Sequence, residues 1–138
     1  AFAGGRRSDA LVELLDLAPT ICDAVGLEQP WYHQGHSLMP ALHGSTDPHR
    51  EFVRTEFYGA INYPDQTAAT MYRDRRWKLV TYHGKDLFEL YDLQADPWEH
   101  EDLSRDPAYR DVLMDLLRRS FDATIAARPP APARTQPF

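Results

Sequence analysis

Short apolar runs separated by polar turns dominate the middle of the chain. Four of these runs are rich in β-branched and aromatic residues, namely 51–58, 69–73, 77–82 and 87–92. The segments Asp74-Arg75-Arg76 and 83–86 join the last three runs and have the composition of hairpin turns. The pattern predicts an antiparallel sheet of about four strands, and one apolar face of that sheet must be covered.

The covering element is predicted near the end of the chain, where apolar residues recur at helical spacing. These residues are Tyr109, Val112, Leu113, Leu116, Leu117 and Phe121. Asp106 is a good N-cap, and Pro107 fits the first helical position because no backbone donor is needed there. A sheet covered by one C-terminal helix is an α+β fold.

The first apolar run of the chain is interrupted by a proline. One helix through residues 9–25 would hold Pro19 in its interior, at a cost of about 3 kcal/mol. We therefore expect a strand over Leu11–Leu15 and, after it, a helix that Asp16 caps and that stops at Gly26.

Composition limits the classes of function. The chain has 138 residues and a net charge of −6, which argues against a nucleic-acid partner or a membrane-surface role. No apolar run approaches the roughly 20 residues that span a bilayer. Cys22 is the single cysteine, so an internal disulfide is excluded. No secretory leader is recognisable, and the compartment, cytoplasmic or periplasmic, stays open.

Residue types that bind metals or act as nucleophiles are present without a specific pattern. Four histidines lie close together in the sequence: His33, His36, His43 and His49. Their spacing matches no zinc motif, and we expect them in loops. Cys22 lies in an apolar run of predicted helix, where a buried small hydrophobe is the expected role. We predict no catalytic residue and no metal ligand in this chain.

Four segments resemble, in the same order, elements of sulfatases of the alkaline-phosphatase superfamily. They are Asp16-Leu17-Ala18-Pro19-Thr20 with Gly26, the glycine-bounded segment 35–44, Trp77-Lys78-Leu79-Val80, and Glu89 to Leu103. The last resembles the pattern Glu-Leu-Tyr-Asp-Leu-x-x-Asp-Pro-x-Glu-x-x-Asn-Leu, with Asp102 in place of Asn. The chain thus looks like the C-terminal part of an arylsulfatase-like enzyme, and we expect a bacterial source.

The resemblance implies that the catalytic centre lies outside this chain. Sulfatases use a formylglycine matured within a Cys/Ser-x-Pro-x-Arg motif, and a calcium ion held by Asp and Asn side chains. Cys22 is followed by Asp23-Ala24-Val25, so that motif is not matched. Formylglycine and calcium are expected in a missing N-terminal catalytic domain, which would be the partner of this chain. The complete protein would hydrolyse a sulfate ester, while this chain alone should be inactive.

The same resemblance divides the chain into three regions. Residues 1–45 would end the α/β catalytic domain with a strand, a helix and a short helix; residues 46–127 would form the C-terminal subdomain, and 128–138 a proline-rich tail. Loops of that subdomain can line the substrate cleft in this family. The substrate-binding candidates are Tyr58, His83 and Lys85, together with the neighbouring loop residues Asn62 and Tyr63.

Two other functions stay open. A phosphonate monoesterase or phosphodiesterase of the same superfamily can have a similar C-terminal region. A non-catalytic interaction module would fold alone and expose no large apolar patch. The sulfatase interpretation predicts the opposite, because residues 11–25 should pack on a parallel sheet that this chain lacks. The substrate and the formation of a homo-oligomer are left open.

Overall fold

The computed structural model describes Gly5 and residues 7–59 and 66–127. These residues divide into two compact units: the first holds the described residues up to His49 and those from Ala123 onward, and the second is Arg50–Asp122. The predicted tail at 128–138 lies outside the described residues. Within the described ranges, no helix is long and apolar enough to cross a bilayer.

Residues 7–49 of the first unit contain one 3-10 helix and two short α-helices. A 3-10 helix at Leu14–Asp16 leads directly into α1 (Leu17–Ala24), and α2 spans Met39–Leu42. α1 ends where the sequence predicts, because Gly26 adopts a left-handed φ of +70° just after the helix.

The strand predicted over Leu11–Leu15 is wrong. Residues 11–13 have no regular secondary structure, and the 3-10 helix takes up Leu14 and Leu15. A strand needs a neighbouring strand to pair its backbone groups, and the one sheet found in the described ranges is built from strands of the second unit. The Glu13 amide instead donates to the Asp16 carboxylate at 2.9 Å, which turns the segment back on itself.

Asp16 is the buried centre of the first unit. Its side chain is 0% exposed, accepts a hydrogen bond from the His36 amide at 2.8 Å, and lies 3.0 Å from His49 Nε2. Asp16 occupies the N-cap position of α1, but its side chain makes no capping hydrogen bond, so the capping role predicted for it is wrong. The carboxylate instead joins stretches of chain that are far apart in the sequence.

The loop before α2 comes very close to this centre at Gly35. A Cβ built on Gly35 would lie 1.9 Å from the Leu15 carbonyl oxygen, so only glycine fits. Farther along the loop, the Leu38 amide donates to Thr20 Oγ1 of α1 at 2.8 Å. Both contacts hold the loop against α1.

The second unit contains the predicted four-stranded antiparallel sheet. Its strands are β1 (Val53–Tyr58), β2 (Ala68–Arg73), β3 (Trp77–Tyr82) and β4 (Leu87–Asp92), in the order β1-β2-β3-β4. α3 (Arg110–Ala126) follows a 3-10 helix at Pro107–Tyr109. The Asp106 side chain accepts the Ala108 amide at 2.9 Å, so the predicted start of the last helix is confirmed.

One face of the sheet forms the core of the second unit. Tyr72 pairs with Leu79, Leu79 pairs with Leu90, and all three are buried. α3 contributes Leu116, which is 1% exposed and lines a shallow cavity together with Trp77 of β3. The α+β architecture, a four-stranded sheet with a C-terminal helix, is therefore confirmed.

In residues 92–103, which we call the signature segment, carboxylate side chains accept hydrogen bonds from backbone amides. Asp92 accepts the Gln94 amide at 3.1 Å and the Arg76 guanidinium at 2.9 Å. The hydrogen bond from Arg76 holds the pKa of Asp92 below its ordinary value, although burial opposes the shift. Asp102 accepts the Leu90 amide at 3.0 Å. This position needs only an acceptor, so Asp serves there as well as the usual Asn.

Residues 102–104 also cover the outer edge of β4. The Leu103 amide donates to the Leu90 carbonyl at 2.9 Å, and the Ser104 hydroxyl donates to the Phe88 carbonyl at 3.0 Å. Backbone groups at the edge of a sheet otherwise face solvent or another chain. Residues 102–104 therefore satisfy the outward-facing carbonyls of Phe88 and Leu90 in the last strand.

Replacing Asp16 with alanine should loosen the first unit, because the amides of Glu13 and His36 lose a buried acceptor. We expect hydrogen exchange at the His36 amide to become roughly 30-fold faster, which corresponds to about 2 kcal/mol. The matched control is Asp23→Ala, which removes only an exposed acceptor of the Ser37 hydroxyl. Equal exchange rates in the two variants would contradict the role of Asp16.

Candidate functional site

Two of the substrate-binding candidates lie at one end of the sheet. β1 ends at Tyr58, and His83 directly follows β3. Because neighbouring strands are antiparallel, both residues lie at the end where β2 begins. Tyr58 pairs with Ala68, and the Ala68 carbonyl accepts the His83 amide at 2.8 Å. The structure therefore places Tyr58 and His83 on either side of β2.

Thr70 of β2 joins these two side chains. Its hydroxyl lies 2.7 Å from His83 Nε2 and 3.4 Å from the Tyr58 hydroxyl, and the two ring centroids are 6.1 Å apart. Thr70 is 5% exposed, whereas Tyr58 is 58% exposed and His83 is exposed. We call Tyr58, Thr70 and His83 the sheet-end cluster. A buried hydroxyl thus lies beneath two side chains that face solvent.

Thr70 was not among the residues selected from the sequence. It lies two positions before Tyr72 and therefore faces the same, buried side of the sheet. A hydroxyl at such a position needs a hydrogen-bond partner, and this requirement is the signal that could have identified it.

Lys85 reaches the same end of the sheet from the turn between β3 and β4. Gly84 and Asp86 adopt φ values of +74° and +49°, which shape this turn. The Lys85 ammonium donates to Thr67 Oγ1 at 2.8 Å, immediately before β2 begins. An ammonium group at this place suits an anionic oxygen of a ligand. The remaining candidates, Asn62 and Tyr63, lie outside the described residues.

The opposite face of the sheet carries a network of mutually satisfied polar groups. The hydroxyls of Tyr82 and Tyr91 donate to Glu89 at 2.9 and 3.2 Å. Burial and the nearby Glu89 raise the pKa of Tyr91 to about 12, and the hydrogen bond to Glu89 raises the pKa of Tyr82. Lys78 pairs with Glu99 on this side. Tyrosines held protonated in this way stabilise a sheet and do not act as general bases near neutral pH.

The histidines and the cysteine form no candidate metal centre in the described ranges. Across Gly5, 7–59 and 66–127, no group of three or more His, Cys, Asp or Glu side chains is placed to hold a metal. The rings of His36 and His49 meet edge-on with centroids 5.9 Å apart, and His49 contacts Asp16. Cys22 on α1 is half-buried, less buried than the sequence predicts.

Comparison with protein families matches residues 1–125 to a family model described as N-sulphoglucosamine sulphohydrolase, C-terminal. Delta 4,5-hexuronate-2-O-sulfatase of Bacteroides thetaiotaomicron is 35% identical over 116 residues, which cover 78% of this chain and 24% of that protein. Arylsulfatase K of Xenopus laevis is 34% identical over 128 residues, which cover 85% and 23%.

Solved structures share the fold. A 2-O GAG sulfatase superposes with a TM-score of 0.71 at 32% identity, over 81% of this chain and 24% of that one. The phosphonate monoester hydrolase of Silicibacter pomeroyi superposes with a TM-score of 0.82 at 25% identity, over 94% of this chain and 28% of that one. The chain therefore spans about a quarter of the length of these proteins.

Proposed function

The chain belongs to the N-sulphoglucosamine sulphohydrolase C-terminal family, and from this we propose that it is the C-terminal subdomain of a sulfatase-like hydrolase. The complete protein would hydrolyse a sulfate ester or sulfamate. The observation that carries the proposal is the family match over residues 1–125. Sulfatase relatives about four times as long as the matched segment support it.

The catalytic centre is assigned to the part of the complete protein that would precede this chain. The residues present here do not fit the formylglycine and calcium of a sulfatase. Cys22 lacks the x-Pro-x-Arg that should follow a formylglycine precursor, and the described ranges group no three metal-binding side chains. We assign no step of the hydrolysis to this chain, and alone it should show no sulfatase activity.

Lining the substrate cleft is the contribution that we propose for Tyr58, His83 and Lys85. Tyr58 and His83 are exposed at one end of the sheet, and Lys85 reaches the same end. An imidazole and an ammonium group can donate hydrogen bonds to the oxygens of a sulfate ester, and the exposed Tyr58 ring offers an apolar surface beside them. The positive charge of Lys85 also complements the negative charge of such a substrate.

The exposed apolar residues of the first unit support the proposal that another part of the complete protein covers them. Leu14 is 86% exposed, Leu17 and Ile21 on α1 are 53% and 65% exposed, and Val25 just after α1 is 65% exposed. Monomeric proteins rarely leave a contiguous apolar patch of this kind in water. We assign the N-terminal catalytic part as its partner, since the sulfatase relatives extend far beyond the matched segment. The patch also argues against a free-standing interaction module.

The reaction itself is tested by comparing the complete protein on 4-nitrophenyl sulfate and on the 4-nitrophenyl ester of phenylphosphonate. We expect kcat/KM to be at least about tenfold higher for the sulfate. The phosphonate ester represents the second candidate function, favoured by the TM-score of 0.82 with the Silicibacter phosphonate hydrolase. A higher kcat/KM on the phosphonate would select that candidate, and no hydrolysis of either ester would contradict both.

Lys85→Ala in the complete protein tests the cleft role of the turn after β3. Loss of a cationic donor should raise KM for 4-nitrophenyl sulfate about fivefold, with a smaller effect on kcat. Arg75→Ala is the matched control, because Arg75 is an exposed cation in the turn between β2 and β3. Identical KM and kcat values for the two variants would show that Lys85 does not contribute to substrate binding.

Leu14→Ala tests the proposed partner of the apolar surface by comparing two contexts. In this chain alone the free energy of unfolding should change by less than about 0.5 kcal/mol, because Leu14 is 86% exposed. In the complete protein the free energy of unfolding should fall by about 2 kcal/mol or more, as for truncation of a buried leucine. Urea denaturation measures both values.

Leu90→Ala is the control for that comparison. Leu90 is 0% exposed within the sheet, so its truncation should cost about 2–5 kcal/mol in both contexts. If Leu14→Ala has the same small effect in the complete protein as in this chain, the catalytic part does not cover the surface.

A further inference from the structure

The sheet-end cluster places one hydroxyl hydrogen between two side chains. Thr70 Oγ1 lies 2.7 Å from His83 Nε2 and 3.4 Å from the Tyr58 hydroxyl. A threonine hydroxyl donates one hydrogen bond and can accept two. The direction of this hydrogen therefore decides which ring nitrogen of neutral His83 is protonated.

The chemistry of the three groups favours one direction. A phenol hydroxyl is more acidic than an aliphatic hydroxyl and is the better donor, and a neutral imidazole nitrogen is the best acceptor of the three. The Tyr58 hydroxyl then donates to Thr70 Oγ1, and the Thr70 hydroxyl donates to His83 Nε2. The Thr70–His83 distance of 2.7 Å permits a hydrogen bond in either direction, so the strengths of the donors and acceptors decide between them. Neutral His83 consequently carries its hydrogen on Nδ1.

Given the proposed cleft role of this end of the sheet, on which the inference rests, we propose that Thr70 is a positioning residue. It holds His83 in the Nδ1–H tautomer, so that the exposed ring donates a hydrogen bond to a sulfate oxygen of the substrate. Protonation of His83 adds a hydrogen at Nε2 and leaves Nδ1–H in place. The Nδ1–H group is therefore available to the substrate whether the ring is neutral or protonated.

Loss of the Thr70 hydroxyl removes this control. Neutral His83 can then place its hydrogen on Nε2, and Nδ1 becomes an acceptor that repels a sulfate oxygen. Protonated His83 still donates from Nδ1, so the defect should appear only where the ring is neutral. Dependence on pH is therefore the signature of a tautomer effect, and a purely structural role of Thr70 would not produce it.

Charged groups on β1 and in the turn after β3 belong in the pH analysis. Glu56 of β1 lies on the face of Thr70, with which it pairs in register, and it bonds Arg54 at 2.6 Å. Lys85 and Asp86 follow His83 in the turn. The wild type and the Thr70 variants share all four groups, so their titration affects both profiles alike.

The experiment measures KM for 4-nitrophenyl sulfate in the complete protein at pH 5.5 and at pH 8.0. Thr70→Val keeps the branched shape and removes the hydroxyl. We expect its KM to rise roughly tenfold at pH 8.0 and to stay within about twofold of wild type at pH 5.5. Thr70→Ser retains a hydroxyl and should restore the wild-type profile.

Comparison with His83→Ala separates this inference from the proposed function. An increase in KM for His83→Ala with no increase for Thr70→Val at pH 8.0 would overturn the role of Thr70 and leave the cleft role in place. Unchanged KM values in both variants would contradict the cleft role itself. An equal increase at both pH values for Thr70→Val would indicate structural damage and would overturn the tautomer inference.

The tautomer can also be observed without any activity. Nitrogen-15 chemical shifts of histidine distinguish a protonated from an unprotonated ring nitrogen, and His83 is assigned by its absence from His83→Ala. We expect neutral His83 in the wild-type protein to carry hydrogen on Nδ1 and to shift toward the Nε2–H form in Thr70→Val. A wild-type ring already in the Nε2–H form would overturn the proposal, whether or not the variants fold.

Discussion

A buried carboxylate holds the first unit together. Across residues 7–49 only Asp16, Pro19 and Gly35 are buried, so hydrophobic burial within this stretch contributes little. A buried carboxylate without partners would be costly, and the amide of His36 and the ring of His49 satisfy it. The stretch is thus ordered by hydrogen bonds at its centre, while most of its leucines are exposed. This distribution is the one expected of a segment whose apolar partner lies elsewhere.

The two ends of the sheet differ in chemistry. Asp92 and Arg76 lie where β4 ends and β3 begins, and their hydrogen bonds join the signature turn to the sheet. Tyr58 and His83 lie at the other end, about 20 Å away along six-residue strands. The turn that Asp92 and Arg76 hold is therefore structural and remote from the candidate site. Substitutions at the sheet-end cluster can change ligand contacts without disturbing the turn.

The second unit could be predicted from the sequence far better than the first. Alternation, hairpin turns and helical spacing are local signals, and they located the four strands and α3. The strand expected at Leu11–Leu15 failed because a strand depends on a neighbour, which periodicity does not report. The burial of Asp16 and the role of Thr70 were not foreseen for a similar reason, since their partners His49 and His83 are 33 and 13 residues away. Tyr58 and His83 were selected as candidates, but their shared hydroxyl partner was not foreseen.

The covering of β4 has a consequence for how this sheet meets other chains. An uncovered edge strand is a template on which a second molecule can add a strand and begin to aggregate. Here the outward carbonyls of Phe88 and Leu90 are already occupied by Ser104 and Leu103, and the Leu90 amide by Asp102. Asp102 also places a negative charge at that edge, where an asparagine would place none. The last strand is thereby closed to intermolecular β-pairing by backbone and side-chain groups of its own chain.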